Sequence, residues 1–394
     1  MPARKLVIHI ITRLEPGGSS RNTIDSCSAQ AAVYNVILLA GPHKNSATLL
    51  KLLPPSVQYI EISDLQRELN PVKDLKAFLA LKKDLERLQP DIIHTHTSKA
   101  GALGRLAAAI AGRGTTKAIV IHTPHGHLLY GYYGPLKTFL FRFAEGLLSK
   151  FTGYLIALTR GEMNESAAAG IGRPQQWEVI HSGVSLQTSG ALTQKKDLGI
   201  AEDEIVIGTV ARLEPVKGVE YLLRAAVILK EKFPAARLRY LVVGSGELKI
   251  SLEKLASKLG IHDMVMFTGF RQNGAALMGA MDIYVQPSLN EAMGRAPLEA
   301  QAMGLPVVVS RVCGLPDIIA EGKTGIAVKA GDPEALAAAL ERLFLSKKLR
   351  ERMGQAAKEW TGMADTTGFP RFGAESMNAQ LLALYTRALG KTAA

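Results

Sequence analysis

From Lys5 onward, short apolar runs bounded by turn residues alternate with longer segments of helical spacing, and few folds accept such a pattern. The runs are Lys5–Ile11, Tyr34–Ala40, Val57–Ile60, Ile92–His96 and Ala118–Thr123, with helical segments such as Leu75–Leu88 and Ala102–Ala111 between them. A strand that is apolar on both faces must be covered on both faces, so the pattern predicts a parallel sheet layered between helices. The alternation then restarts. Ile205–Val210, Leu238–Val243, Val265–Thr268, Ile283–Gln286 and Val307–Ser310 read as strands, and Val219–Phe233 and Lys249–Leu259 as helices. Two successive runs predict an α/β chain of two Rossmann-like, doubly wound domains. The first is expected over residues 1–190 and the second over 191–372, joined near Ser182–Lys196, where Ser, Gly, Gln and Thr cluster. The stretch 373–394 holds an isolated amphipathic helix, Gly373–Leu389, expected to pack back on the first domain.

Length and composition agree with two ordinary domains: 394 residues, 47% hydrophobic and 21% charged. Cys27 and Cys313 are the two cysteines, too few for a disulfide framework, which points to a reducing compartment and a cytoplasmic protein. The apolar run Leu6–Ile11 is too short for a signal-peptide core or a membrane span. The net charge is +12. Residues 1–190 contain 21 Lys+Arg and 13 Asp+Glu (+8), leaving 26 and 22 (+4) for the rest. Such a basic surface suits nucleotide phosphates, a pyrophosphate-linked lipid, an anionic leaflet or nucleic acid, and is equally compatible with scattered solvated charge.

The densest chemical signal runs from Pro287 through Ala300 and contains Glu291 and Glu299. It follows the strand Ile283–Gln286, Pro287 and Gly294 break that strand, and a helix is expected from about Arg295. A helix beginning at a strand's C-terminal end offers free N–H groups and a positive dipole end to a diphosphate. Were the whole segment helical, the two glutamates would stand roughly 12 Å apart, close to the ribose-to-hexose span of a nucleotide sugar. The plainer alternative is one glutamate facing the helix dipole and one on a solvated face. A second signal, Val210–Gly218, places Arg212 and Lys217 after the first strand of the second domain, where both cations suit phosphates. They are also compatible with an ordinary charged loop. A third, Val243–Glu247, is a short Gly-x-Gly turn containing Gly244, without the third glycine of a dinucleotide fingerprint.

Taken in order, Arg212 with Lys217-Gly218, Gly244–Glu247, Phe267–Phe270 and Pro287–Glu299 resemble the C-terminal domain of GT4-type retaining glycosyltransferases, which have the two-Rossmann-domain GT-B fold. The resemblance extends through Gln301–Val307, Gly314–Ile319 and Gly322–Val328. The N-terminal half is similar more loosely, in Glu15–Gly18, Ile121–Gly126 and Val179–Val184, and Ile93–Leu106 is similar to a subset that builds bacterial surface polysaccharides. The resemblance implies that Arg212 and Lys217 hold the donor diphosphate, Glu291 the transferred sugar and Glu299 the ribose. Phe270 and Arg271 would lie near the base. Gly244, Ala292, Met293 and Gly294 would complete the donor site, and Gly17 and Gly18 would let backbone approach the phosphates. His125 would orient the sugar near the interdomain cleft and join Arg212, Lys217 and Glu291 as the catalytic set. The donor would be a nucleotide sugar, UDP-linked by preference. The acceptor would be a glycan or a lipid-linked glycan, and transfer would retain configuration, by a front-face route, without a metal or other cofactor. Ala292 departs from the family, which carries glycine there, and a Cβ is expected to crowd the loop.

Five histidines (His94, His96, His122, His125 and His127) sit near strand ends. Paired as His94/His96 and His125/His127 they lack a third ligand, so a metal site is not expected, and His94 and His122 are expected to be satisfied imidazoles near the core. Leu128–Pro135 and Lys137–Lys150 mix aromatic, aliphatic and basic residues, which suits either a membrane interface, with the protein peripheral at its inner face, or a core helix with a basic outer side. A sugar-nucleotide epimerase of similar fold is the competing enzyme. A nucleic-acid-binding protein is the competing non-enzyme, disfavoured because no such motif is present. A dehydrogenase would need a full glycine fingerprint where Gly17-Gly18 stands.

Overall fold

The structure is a computed structural model and describes residues 4–44, 46–112, 118–186, 191–271 and 273–392. The chain forms two compact units. One comprises residues up to Leu129, Tyr133–Gly183 and the stretch from Ala374 onward. The other comprises Tyr130–Tyr132 and Val184–Gly373.

The first unit contains strands β1 (Leu6–Arg13), β2 (Asn35–Gly41), β3 (Val57–Glu61), β4 (Ile92–His96), β5 (Ile119–Thr123), β6 (Tyr154–Ala157) and β7 (Trp177–Val179). They form a parallel sheet in the order β3-β2-β1-β4-β5-β6-β7. The connecting helices are α1 (Gly18–Gln30), α2 (Ser46–Leu50), α3 (Pro71–Leu88), α4 (Ser98–Ala111), α5 (Pro135–Leu148) and α6 (Arg160–Ala168). Successive side chains of a strand point to opposite faces, and both faces are buried here. Val7 and Ile11 join one apolar cluster, while Ile8 and Ile10 join the other, which also takes Ala77, Leu81 and Leu85 of α3.

The second unit repeats the plan with β8 (Ile205–Val210), β9 (Leu238–Val243), β10 (Val265–Gly269), β11 (Ile283–Gln286), β12 (Val307–Ser310) and β13 (Gly325–Val328). Their order, β10-β9-β8-β11-β12-β13, is parallel throughout. Helices α7 (Val219–Lys232), α8 (Lys249–Lys258), α9 (Arg295–Ala302), α10 (Pro333–Phe344) and α11 (Lys347–Gly362) flank the sheet. Each sheet reverses its winding direction once, between β1 and β4 and between β8 and β11. Ligand crevices of open α/β sheets lie at such switch points, beyond the carboxyl ends of the strands.

The last helix, α12 (Ala374–Thr392), belongs to the first unit. Met377, Leu381, Leu384 and Tyr385 recur at helical spacing and are buried in the same cluster as Val7, Ile11 and Ile24. The Tyr385 hydroxyl lies 2.6 Å from His94 Nδ1, so a residue of β4 finds its polar partner on the final helix. Tyr385→Phe should therefore lower the unfolding free energy of this unit by about 1–2 kcal/mol, by leaving a buried imidazole nitrogen unpaired. Denaturant titration checks this, with the m-value unchanged.

Candidate active site

The switch point of the second unit brings the loops after β8 and β11 side by side. Leu289 N donates to the Val216 carbonyl across a 2.8 Å gap. Gly218 makes the approach possible: its φ is +63°, and a Cβ there would lie 2.1 Å from the Pro287 carbonyl oxygen. The contact positions Lys217 Nζ 2.5 Å from Glu291 Oε2, with both side chains largely buried. The carboxylate is the end of a polar chain. Tyr284 OH donates to Gln286 Oε1 (2.8 Å), Gln286 Nε2 to Ser288 Oγ (2.8 Å), and Ser288 Oγ to Glu291 Oε2 (3.3 Å). Gly314 N donates to the Glu291 carbonyl, which pins the loop from the β12 side.

Other expected donor-site residues fall around this pair in different ways. Arg212 is half-exposed and pairs with Glu214 at 3.0 Å. Residues 287–294 are not helical; α9 begins at Arg295 with Gly294 (φ +78°) as its N-cap. Glu291 thus lies in the loop and Glu299 in the helix, so the spacing calculated for one continuous helix does not apply. Burial pushes the Glu299 carboxyl above its usual range, with the Arg295 charge opposing it. Glu299 and Glu291 both act electrostatically on Tyr284. Ala292 and Met293 are buried. Ala292 is not among the non-glycine residues with positive φ, so its backbone conformation does not call for glycine. Gly244 (φ +137°) is demanded by the chain itself, since a Cβ would lie 1.9 Å from the Ala211 carbonyl oxygen. Phe270 and Arg271 are exposed just after β10.

His125, Gly17 and Gly18 belong to the first unit. Gly17 precedes α1, and a Cβ there would meet nothing nearer than the Glu15 carbonyl oxygen at 4.0 Å. Local packing therefore does not require glycine at that position. The end of β1 and the residue after β4 meet through Thr12 Oγ1 and Thr97 Oγ1, 2.7 Å apart, and Ala100 N donates to Thr12 Oγ1. His125 follows β5 with φ +58°, a conformation that non-glycine residues rarely hold unless their surroundings enforce it. Two supports are visible. Glu162, wholly buried and not singled out by the sequence, accepts from Gly126 N at 2.8 Å and Leu158 N at 2.7 Å. The second is a file of imidazoles: Gln30 Oε1 to His9 Nε2 (2.7 Å), His9 Nδ1 to His96 Nε2 (2.9 Å), and His96 Nδ1 to His125 Nε2 (3.0 Å).

With the Gln30 oxygen as acceptor, each neutral ring donates one way and accepts the other. The proton positions are then set along the file, and His125 Nε2 donates to His96 while its Nδ1 is left as an acceptor. His9, His94 and His96 have nitrogens close enough to share an ion. Each of those nitrogens already has a hydrogen-bond partner, with His94 held by Tyr385 and Thr123, so the three form a hydrogen-bonded network rather than converging lone pairs. His122 is only half satisfied: Nδ1 meets Thr95 while Nε2 has no partner.

Burial lowers the pKa of His9 from 6.5 to about 4 and holds His94, His96 and His122 well below 6.5. As pH falls below about 6.5, the unfolded chain takes up protons that the folded imidazoles refuse. Each should remove up to about 1.4 kcal/mol of stability per pH unit, measurable as a steep loss of unfolding free energy between pH 6.5 and 5. Burial pushes Glu162 the other way, up to about 7 from 4.5, against the pull of its two N–H donors. Its penalty grows as pH rises from 4.5 to 7 and is constant above. Glu162→Gln removes that penalty but turns an amide N–H₂ toward a buried N–H. The variant should be less stable than the parent at pH 5, and the gap should close by roughly 2–3 kcal/mol by pH 8 in paired denaturant titrations.

Comparison with known proteins bears on family and fold. Residues 16–188 match the family Glycosyltransferase Family 4, and residues 191–360 match Glycosyl transferases group 1. The Escherichia coli UDP-Gal:alpha-D-GlcNAc-diphosphoundecaprenol alpha-1,3-galactosyltransferase is 30% identical over 312 residues, 78% of this chain and 80% of that one. EpsD of Bacillus subtilis (strain 168) is 32% identical over 298 residues, 73% and 76% of the two chains. Among solved structures, Anabaena Alr3699/HepE in complex with UDP-glucose matches with a TM-score of 0.79 at 22% identity, covering 97% of this chain and 99% of that one. Both halves of the sequence and both sheets lead to one statement: this chain belongs to the family 4 glycosyltransferases, with the GT-B fold.

Proposed function

We propose that this glycosyltransferase moves a sugar, with retention of configuration, from a UDP-linked donor to a glycan or lipid-linked acceptor in bacterial polysaccharide synthesis. It acts in the cytoplasm, at the inner face of the membrane. The observation that carries the reading is the Lys217–Glu291 pair on the two switch-point loops, beside the N-terminus of α9. A diphosphate entering between these loops engages Lys217 and Arg212, and Glu291 turns its acceptor oxygens to sugar hydroxyls. The E. coli relative is named for a UDP-galactose donor and a diphosphoundecaprenol-linked acceptor, and the Anabaena structure contains UDP-glucose. Both support a UDP donor, and the first supports a lipid-linked acceptor.

In the reaction, the bond between the anomeric carbon and the phosphate oxygen breaks and the acceptor hydroxyl oxygen takes its place on the same face. The hydroxyl proton passes to the departing phosphate. Negative charge grows on the diphosphate as this happens, and Lys217, Arg212 and the N–H groups at the start of α9 stabilise it, so no divalent ion is needed. His125, whose Nε2 is taken by His96, is assigned to orient a hydroxyl of the transferred sugar.

Calorimetric titration with UDP and with GDP in EDTA, beside an Arg212→Ala/Lys217→Ala variant, tests the donor site. UDP should bind the parent in the micromolar range and the variant about 30-fold more weakly or worse. If well-folded parent protein bound neither nucleotide, the donor-site assignment would be wrong.

A further inference from the structure

Helix α5 exposes a large apolar face in a regular pattern. None of its fourteen residues is buried. Leu136, Phe139, Leu140, Phe143 and Leu147 are 73%, 60%, 55%, 65% and 47% exposed. They recur at i, i+3, i+4, i+7 and i+11, which is a single helical stripe. Tyr132 and Tyr133 before the helix and Phe151 after it are exposed as well. A soluble surface seldom carries so much contiguous apolar area without a partner for it.

The charges around the stripe say what kind of partner. At 100° per residue, Lys137 and Arg142 stand roughly 100–120° to either side of it, and Lys150 follows in the next turn. Among the described residues none of these three cations is in an ion pair. The helix's one acid, Glu145, stands roughly 180° from Leu136. Its two oxygens are taken by Nη2 of the fully buried Arg105, at 2.9 and 2.7 Å. The outer side therefore presents apolar side chains edged by unpaired positive charge, with the only negative charge turned inward and neutralised. No described helix is long and apolar enough to cross a membrane.

We infer that α5 lies flat in the headgroup region of an anionic membrane, with Leu136, Phe139, Leu140, Phe143 and Leu147 in the acyl boundary and Lys137, Arg142 and Lys150 on lipid phosphates. The inference deepens the acceptor side of the proposed transfer and stands on the surface of this helix rather than on the donor loops.

Sedimentation of the 394-residue chain with vesicles tests it, using phosphatidylcholine alone and phosphatidylcholine with about one third phosphatidylglycerol. Phe139→Glu/Phe143→Glu and Lys137→Glu/Arg142→Glu/Lys150→Glu are run beside the parent. Binding of the parent should require phosphatidylglycerol and weaken with salt. The charge reversal should weaken it about 100-fold or more, and the double phenylalanine variant should fall to background. UDP titration and thermal unfolding of every protein run in parallel. Unchanged values in the variants show that lost vesicle binding is not lost folding, and failed UDP binding by the parent counts against the donor site without touching the membrane result. A parent that ignores anionic vesicles overturns the inference, as does a phenylalanine variant that binds like the parent. It is equally overturned if light scattering shows a parent dimer that Phe139→Glu/Phe143→Glu splits while the parent ignores vesicles, since a second copy would then cover the stripe.

Discussion

The pairing of β8 with β11 is the constraint on which the donor-side geometry rests. Lys217 and Glu291 are 74 residues apart in the chain, and they meet because strands that are not consecutive become neighbours where the sheet reverses its winding. The loops that carry them touch backbone to backbone, and Gly218 permits that distance. The pair is largely shielded from water, so each charge depends on the other or on a replacement of equal sign; an unpartnered charge left in that position would be costly. In the proposed reaction a diphosphate would be such a replacement for Glu291 beside Lys217, and the polar chain from Tyr284 through Ser288 would hold the carboxylate.

The first unit solves a related problem with neutral groups. Thr97 and His125 both hold positive φ at the ends of adjacent strands, and residues in such conformations persist only where neighbours over-determine them. Here the neighbours are buried: the file of neutral imidazoles from Gln30 to His125 on one side, and on the other a carboxyl that burial pushes up to about 7. The low polarity that holds the imidazoles neutral also strengthens each hydrogen bond between them.

Most of the strands could be read from the sequence because a parallel strand covered on both faces is a short apolar run with turn residues at its ends. Ile92–His96, Ile205–Val210, Leu238–Val243, Ile283–Gln286 and Val307–Ser310 have the same bounds in the structure as in the periodicity. Tyr154–Ala157, Trp177–Val179 and Gly325–Val328 are strands that the periodicity did not single out. The cations and carboxylates of the candidate site were legible as residue types after strand ends, but the Lys217–Glu291 contact was not, since strand order is a property of the sheet and not of any segment. Two-residue alternation sets His94 and His96 on one face, yet their link to His9 needs the β1–β4 register. Glu162 carried no signal, because a carboxylate that serves only backbone N–H groups looks like any helix glutamate. Nor could the sequence choose between a core and a surface setting for α5; the packing of the neighbouring elements decides that.

The place of α12 has a consequence for how the chain is made. On a ribosome, β1 to β7 and their helices are complete once Gly183 has emerged, but Met377, Leu381, Leu384 and Tyr385 arrive only after the intervening 190 residues of the other unit, Val184–Gly373. At roughly 5–20 residues per second, that is a delay of roughly 10–40 s. Throughout it, the apolar cluster that holds Val7 and Ile11 of β1 and Ile24 of α1 lacks part of its cover, and His94 lacks its phenol. The first unit to be synthesised is thus the last to be finished, and nascent protein carries an open apolar wall for which chaperones and premature self-association compete.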